Sequence, residues 1–85
     1  MTSAINAGSS AFPLGRQASY IRMGGPIGQE LNIDSLPAGS RLVAEQEDLG
    51  QYGINWLVLY NPDGTEKRRY NVLHLAVIQW REAGS

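Results

Sequence analysis

The single histidine, His74, is the first residue whose type could do chemistry, as a general base or a metal ligand. It lies between two leucines, and the sequence has no second histidine and no cysteine to complete a metal coordination shell. A Ser-His-Asp arrangement would depend on this one imidazole. We therefore expect His74 to be a hydrogen-bonded structural residue.

Three carboxylates lie close together at Glu45, Glu47 and Asp48. Paired carboxylates can share a proton or bind a divalent cation. On a strand, Glu45 and Glu47 share one face, and Asp48 would enter the following loop. A catalytic pair also needs a cleft that fixes the separation of the two carboxylates, which a small β fold rarely provides. We expect a solvated acidic edge.

Three adjacent cations, Lys67, Arg68 and Arg69, form a candidate polyanion-binding site. Basic surfaces with aromatic side chains bind single-stranded nucleic acid on small barrels. Charges on a hairpin strand also protect a sheet edge from aggregation. The formal net charge of −1 lacks the basic excess of a general polyanion binder, so we do not expect a nucleic-acid partner.

No remaining motif indicates a cofactor. The glycines of residues 24–28 lack the Lys-Ser/Thr pair of a phosphate-binding loop, and no dinucleotide-binding fingerprint is present. The longest apolar run, Val72 to Ile78, is far too short to span a bilayer, and no secretory signal is recognisable. We predict no catalytic residue, no cofactor, no metal and no membrane partner, in a cytoplasmic protein unless the chain belongs to a virion.

The chain that must position these groups has 85 residues, of which 42% are apolar and 18% charged. This length supports one small domain, which the absence of cysteine leaves without disulfides. Residues 1–19 contain ten Gly, Ser or Ala residues and one charge, Arg16. We predict an extended N-terminal arm over residues 1–19 and a compact β domain over residues 20–85.

The arm has only isolated large apolar residues, without a helical or strand period. Such a segment buries too little surface to offset the entropy lost when it is ordered. It can be ordered by lying along a neighbouring chain or by adding a strand to that chain's sheet. We predict that its partner-binding residues are Ile5, Phe12, Pro13 and Leu14.

Short β-prone runs separated by turn residues occupy the rest of the chain. The alternation of apolar and polar residues and the enrichment in aromatic and β-branched types predict strands over 20–23, 30–34, 41–47, 54–60, 65–71 and 72–80. A helix over 42–49 is cut short by Gly50 and Gly53, and a helix over 72–80 would have to break the preceding hairpin. The nearly continuous apolar run at 72–80 is typical of a central strand.

The strongest local signal is a hairpin around Asn61-Pro62-Asp63-Gly64, which suits a type I turn with a left-handed residue at Gly64. A three-residue loop with a bulge pairs Asn61 with Thr65. The resulting register predicts two apolar pairs on one face and two cation–leucine pairs on the other. These pairs are Trp56 with Tyr70, Ile54 with Val72, Lys67 with Leu59, and Arg69 with Leu57.

The predicted fold is all-β, a small barrel or sandwich of five to six short strands with an extended N-terminal arm. In architecture the chain resembles the accessory proteins of tailed bacteriophages, such as capsid decoration (cement) proteins and small head or tail components. The arm from Met1 to Pro13 and the hairpin around residues 61–64 carry this resemblance. It implies that the arm ties capsid or tail subunits together while the body sits on the surface as a multimer.

We therefore expect a non-catalytic assembly protein, a virion component whose arm makes intersubunit contacts within a homo-oligomer and with a larger capsid or tail protein. One alternative is a small inhibitor or adaptor of a host protein complex, which would use the acidic residues Glu45, Glu47 and Asp48. Another is a barrel that binds single-stranded nucleic acid through Lys67, Arg68 and Arg69.

Overall fold

The computed structural model describes residues 12–26 and 28–81. These residues form six antiparallel strands in one sheet that curls into a half-barrel, which confirms the predicted all-β fold. The strands are β1 (Gln17–Met23), β2 (Glu30–Asn32), β3 (Arg41–Asp48), β4 (Gly53–Tyr60), β5 (Glu66–Asn71) and β6 (Leu75–Trp80), and two 3-10 helices span Ile33–Ser35 and Val72–His74.

Strand β1 lies at the centre of the sheet. It pairs with β6 along one edge, from Ala18 to Met23. Its other edge pairs first with β3, through Gln17 and Ala18, and then with β2. Strands β3, β4 and β5 continue the sheet as antiparallel neighbours. This order places β5 and β6 at opposite borders of the half-barrel.

The core lies on the inner face of the curled sheet, where alternate residues of each strand point. Half-buried apolar side chains, among them Phe12, Tyr70 and Trp80, pack around its margin. The buried core cluster consists of Ala18, Ile21, Ile33, Leu42, Ala44, Leu57 and Leu59.

The turn of the predicted hairpin is confirmed. The backbone N–H of Asn61 donates to the carbonyl oxygen of Thr65 at 2.8 Å, and the N–H of Gly64 donates to the carbonyl of Asn61 at 2.9 Å. Gly64 has a φ of 92°, in the left-handed region that favours glycine.

The register of the hairpin shifts by one residue beyond this turn. Tyr60 pairs with Glu66 as the turn dictates, but Leu59 pairs with Arg68, which leaves Lys67 without a partner in the ladder. This irregularity is a β-bulge, where one strand carries an extra residue and the pairing is offset from there onwards.

The predicted cross-strand pairs are therefore wrong. Tyr70 lies opposite Leu57 instead of Trp56, and Trp56 lies opposite Asn71, where β5 ends. The predicted pair of Ile54 with Val72 is consequently not part of the ladder.

The predicted faces of the hairpin are also reversed. Leu57 and Leu59 are 0% and 3% exposed and belong to the core, whereas the prediction placed Lys67 and Arg69 over them. Arg69 instead lies opposite Val58. A shift of one residue moves every following side chain of a strand to the opposite face, and the bulge at Lys67 produces that shift.

One predicted strand, over 30–34, ends earlier than the sequence pattern indicates, and another, over 72–80, begins later, for the same reason. The Oδ1 atom of Asn32 accepts a hydrogen bond from the N–H of Asp34 at 2.9 Å, and that of Asn71 accepts one from the N–H of Leu73 at 2.9 Å. Each asparagine thus offers the backbone an alternative to the sheet and starts a 3-10 helix. The segment 72–80 is a strand only from Leu75 onwards.

Candidate functional site

The described end of the arm is attached to the body of the same chain. Phe12 is half-buried, and its ring meets that of Trp80 edge-to-face, with the centroids 5.9 Å apart and the planes at 68°. Pro13 is also half-buried, whereas Leu14 is 57% exposed. Ile5 lies outside the described residues. Of the predicted arm contacts, Phe12 is therefore an intramolecular anchor and Leu14 is open to a partner.

The backbone after the anchor is fixed against strand β3. The N–H of Arg16 donates to the carbonyl of Pro13 at 3.0 Å, which closes a turn. The N–H of Gly15 donates to the carbonyl of Ala44 at 2.7 Å, and the N–H of Ala44 donates to the carbonyl of Arg16 at 2.9 Å. Residues 12–16 are therefore held at a defined position on the body, and residues 1–11, which precede them in the chain, are here called the distal arm.

The outer face of β3 and β4 pairs acidic with aromatic side chains. The hydroxyl of Tyr60 donates a hydrogen bond to Glu45, and Nε1 of Trp56 donates to Oε1 of Glu47 at 3.2 Å. Glu45 and Glu47 share this face, as the strand period predicts. Asp48 ends β3 and accepts a hydrogen bond from the main chain of the next loop.

Cations cover the same aromatic rings. The guanidinium of Arg69 forms a two-bond ion pair with Glu66, at 2.8 and 2.9 Å, and its Cζ atom lies 5.3 Å from the centroid of the Trp56 ring. The Cζ atom of Arg41 lies 5.2 Å from the centroid of the Tyr60 ring. These side chains form the outer-face network, which comprises Arg41, Glu45, Glu47, Trp56, Tyr60, Glu66 and Arg69.

Three side chains of the outer-face network have pKa values that are shifted away from neutrality. The hydrogen bond to Glu45 raises the pKa of the Tyr60 hydroxyl above its ordinary value. The hydrogen-bonded ion pair lowers the pKa of Glu66 and raises that of Arg69. A general acid or base works best with a pKa near the operating pH. These contacts therefore fix charges and orient side chains instead of preparing a proton donor or acceptor.

The three adjacent cations do not form one stripe. Lys67 and Arg68 line a hollow of about 310 Å³ with Leu31, Leu36, Leu59 and Tyr70. Arg69 lines a different hollow beside Trp56 and is already paired with Glu66. A surface that follows a nucleic-acid backbone needs cations aligned along a groove, and this arrangement separates them.

His74 is exposed at the end of the second 3-10 helix. Its carbonyl oxygen accepts a hydrogen bond from the N–H of Gly24 at 2.8 Å, which ties this helix to the end of β1. Within residues 12–26 and 28–81, no three His, Asp or Glu side chains are placed to hold a metal ion together. The same residues contain no helix of the length and hydropathy that crossing a membrane requires.

Strand β6 is the feature that sequence reasoning missed. Its apolar run predicts a central strand, yet in the described part of the chain β6 pairs with β1 alone and forms a border of the sheet. The composition of a strand does not reveal its neighbours, so nothing in the sequence marks this position. Comparisons of the chain with family models, curated proteins and solved structures gave no match.

Proposed function

We propose that this protein is a non-catalytic structural component that joins a homo-oligomeric assembly through its N-terminal arm. The observation that carries the proposal is the packing of Phe12 on Trp80. This contact holds Phe12, the residue that follows the distal arm, against the body, so eleven residues with uncharged side chains are joined to the body at a defined point. Pre-organisation of this kind lowers the entropic cost of an intersubunit contact.

The outer-face network supports a structural role for the body. Its carboxylates accept hydrogen bonds from Tyr60 and Trp56, and Arg69 is paired with Glu66. Side chains that already form hydrogen bonds and ion pairs with one another are poorly placed to bind a polyanion or to transfer protons. The network instead stabilises the β3–β4–β5 part of the sheet.

We further propose that the assembly is a virion, with a larger capsid or tail protein as a second partner. The resemblance to the accessory proteins of tailed bacteriophages supports this, because a small β body with an extended arm is what the two share. In that setting the protein would be a capsid decoration protein or a head or tail accessory protein.

Removal of residues 1–11, which leaves Phe12 in place, tests the proposal. All members of the core cluster lie within the retained residues, so circular dichroism and urea unfolding should show a folded chain. We expect the full chain to sediment as an oligomer and the shortened chain as a monomer. Identical sedimentation of the two folded chains would contradict an assembly role for the arm.

A further inference from the structure

The outer edge of β6 is the largest unprotected border of the described sheet. None of its six residues, Leu75–Trp80, is charged, and four of them are half-buried apolar residues. An edge strand presents unpaired N–H and C=O groups, and an apolar edge without charges is a template for a further strand.

The other borders of the sheet carry the features that block such pairing. Strand β5 contains four consecutive charged residues, Glu66, Lys67, Arg68 and Arg69, and the bulge at Lys67. Strand β2 has only three residues. Charges, bulges and short strands all discourage edge-to-edge association. The contrast singles out β6 as the border that is open to pairing.

The anchor of the arm lies at this same border. Phe12 packs against Trp80, the last residue of β6, so the residue that follows the distal arm lies beside the open edge. Eleven extended residues can span about 36 Å, against about 20 Å for a six-residue strand. The distal arm contains no proline and no charged side chain that would oppose pairing, and Thr2 and Ile5 are its β-branched residues.

We propose that the distal arm of a second copy of this chain adds to β6 as a further strand. This inference rests on the proposed function and names the surface that receives the arm. A chain's own arm, which ends beside Trp80, would have to run parallel to β6, and parallel pairing is slightly less stable per residue. Exchange between two copies permits the antiparallel arrangement, in which Ile5 covers the apolar margin of the core.

Paramagnetic broadening in a mixed sample tests the inference with the full chain. The chain has no cysteine, so Ser3→Cys accepts a single spin label. One protein carries the spin label and no ¹⁵N, and it is mixed with a second protein that carries ¹⁵N and no spin label. We expect loss of amide signal along β6 and unchanged signals along β5. Reduction of the spin label to its diamagnetic form should restore the β6 signals.

The outcomes separate this inference from the proposed function. Association of the two chains with broadening somewhere other than β6 would overturn the inference and leave an arm-mediated assembly standing. Broadening of β6 only when spin label and ¹⁵N are on the same chain would show that each arm covers its own edge, and would overturn the exchange. A mixture that stays monomeric, without any broadening, would contradict both.

Discussion

Phe12 packs the edge of its ring against Trp80, with the two ring centroids 5.9 Å apart. The two residues are 68 positions apart in the sequence, and their contact joins the start of the described chain to the end of the last strand. A segment whose composition predicts an independent arm is therefore partly built into the body. This anchor gives the arm a fixed origin beside the border strand β6.

The Phe12 contact should contribute measurably to stability. We expect Phe12→Ala to lower the free energy of unfolding by about 2 kcal/mol, since a half-buried ring and an edge-to-face pair are lost. Leu14→Ala is the control, and at 57% exposure it should change stability by less than about 0.5 kcal/mol. Urea unfolding measures both variants. Equal effects of the two would show that Phe12 is not an anchor.

The register beyond the bulge can be tested by a double-mutant cycle. Leu57 and Tyr70 lie directly opposite each other, so substituting both should reveal a coupling of about 0.2–1 kcal/mol. The matched cycle of Trp56 with Tyr70 should give no comparable coupling, because these residues point to opposite faces. Stronger coupling in the second cycle would contradict the shifted register and support the one that the turn alone predicts.

The Tyr60–Glu45 hydrogen bond should make stability depend on pH in the alkaline range. Folding raises the pKa of Tyr60, so its stabilising effect is complete below the unfolded value and is lost as the pH rises through the folded value. We expect Tyr60→Phe to cost about 1 kcal/mol at neutral pH. The difference in the free energy of unfolding between Tyr60→Phe and the natural chain should shrink above about pH 10.

Urea unfolding of the natural chain and of Tyr60→Phe, at neutral pH and above the tyrosine pKa, measures this difference. Tyr52→Phe is the control, because its ring is 68% exposed and its substitution should have little effect at either pH. A difference that stays constant or grows with pH would refute the assignment of the hydrogen bond.

Single-stranded nucleic acid should not bind to the cations of β5. Arg69 is committed to Glu66 and Trp56, and the hollow that Lys67 and Arg68 line does not include it. Fluorescence anisotropy of labelled single-stranded DNA and RNA at low salt should give flat titrations. Saturable binding that weakens steeply with salt, and that is lost when all three cations are changed to glutamine, would require the opposite conclusion.

Local signals made the hairpin turn and the all-β class predictable, because proline fixes φ and glycine adopts positive φ without steric cost wherever they occur. The two 3-10 helices also had a local signal, in the asparagines Asn32 and Asn71 that start them. The bulge at Lys67 had no local signal, since it depends on the packing of Leu57 and Leu59 into the core. The anchor on Trp80 and the border position of β6 depend on strand order, which no local pattern contains.

The central claim is that the distal arm holds copies of this chain together, and sedimentation equilibrium of two arm variants tests it most directly. Ile5→Asp and Asn6→Asp each add one negative charge to neighbouring residues of the arm. We expect Ile5→Asp to weaken self-association about tenfold or more, because the charge replaces the apolar side chain that the proposal places against the partner copy, and Asn6→Asp to change it far less. Equal self-association of both variants and the natural chain would contradict the claim.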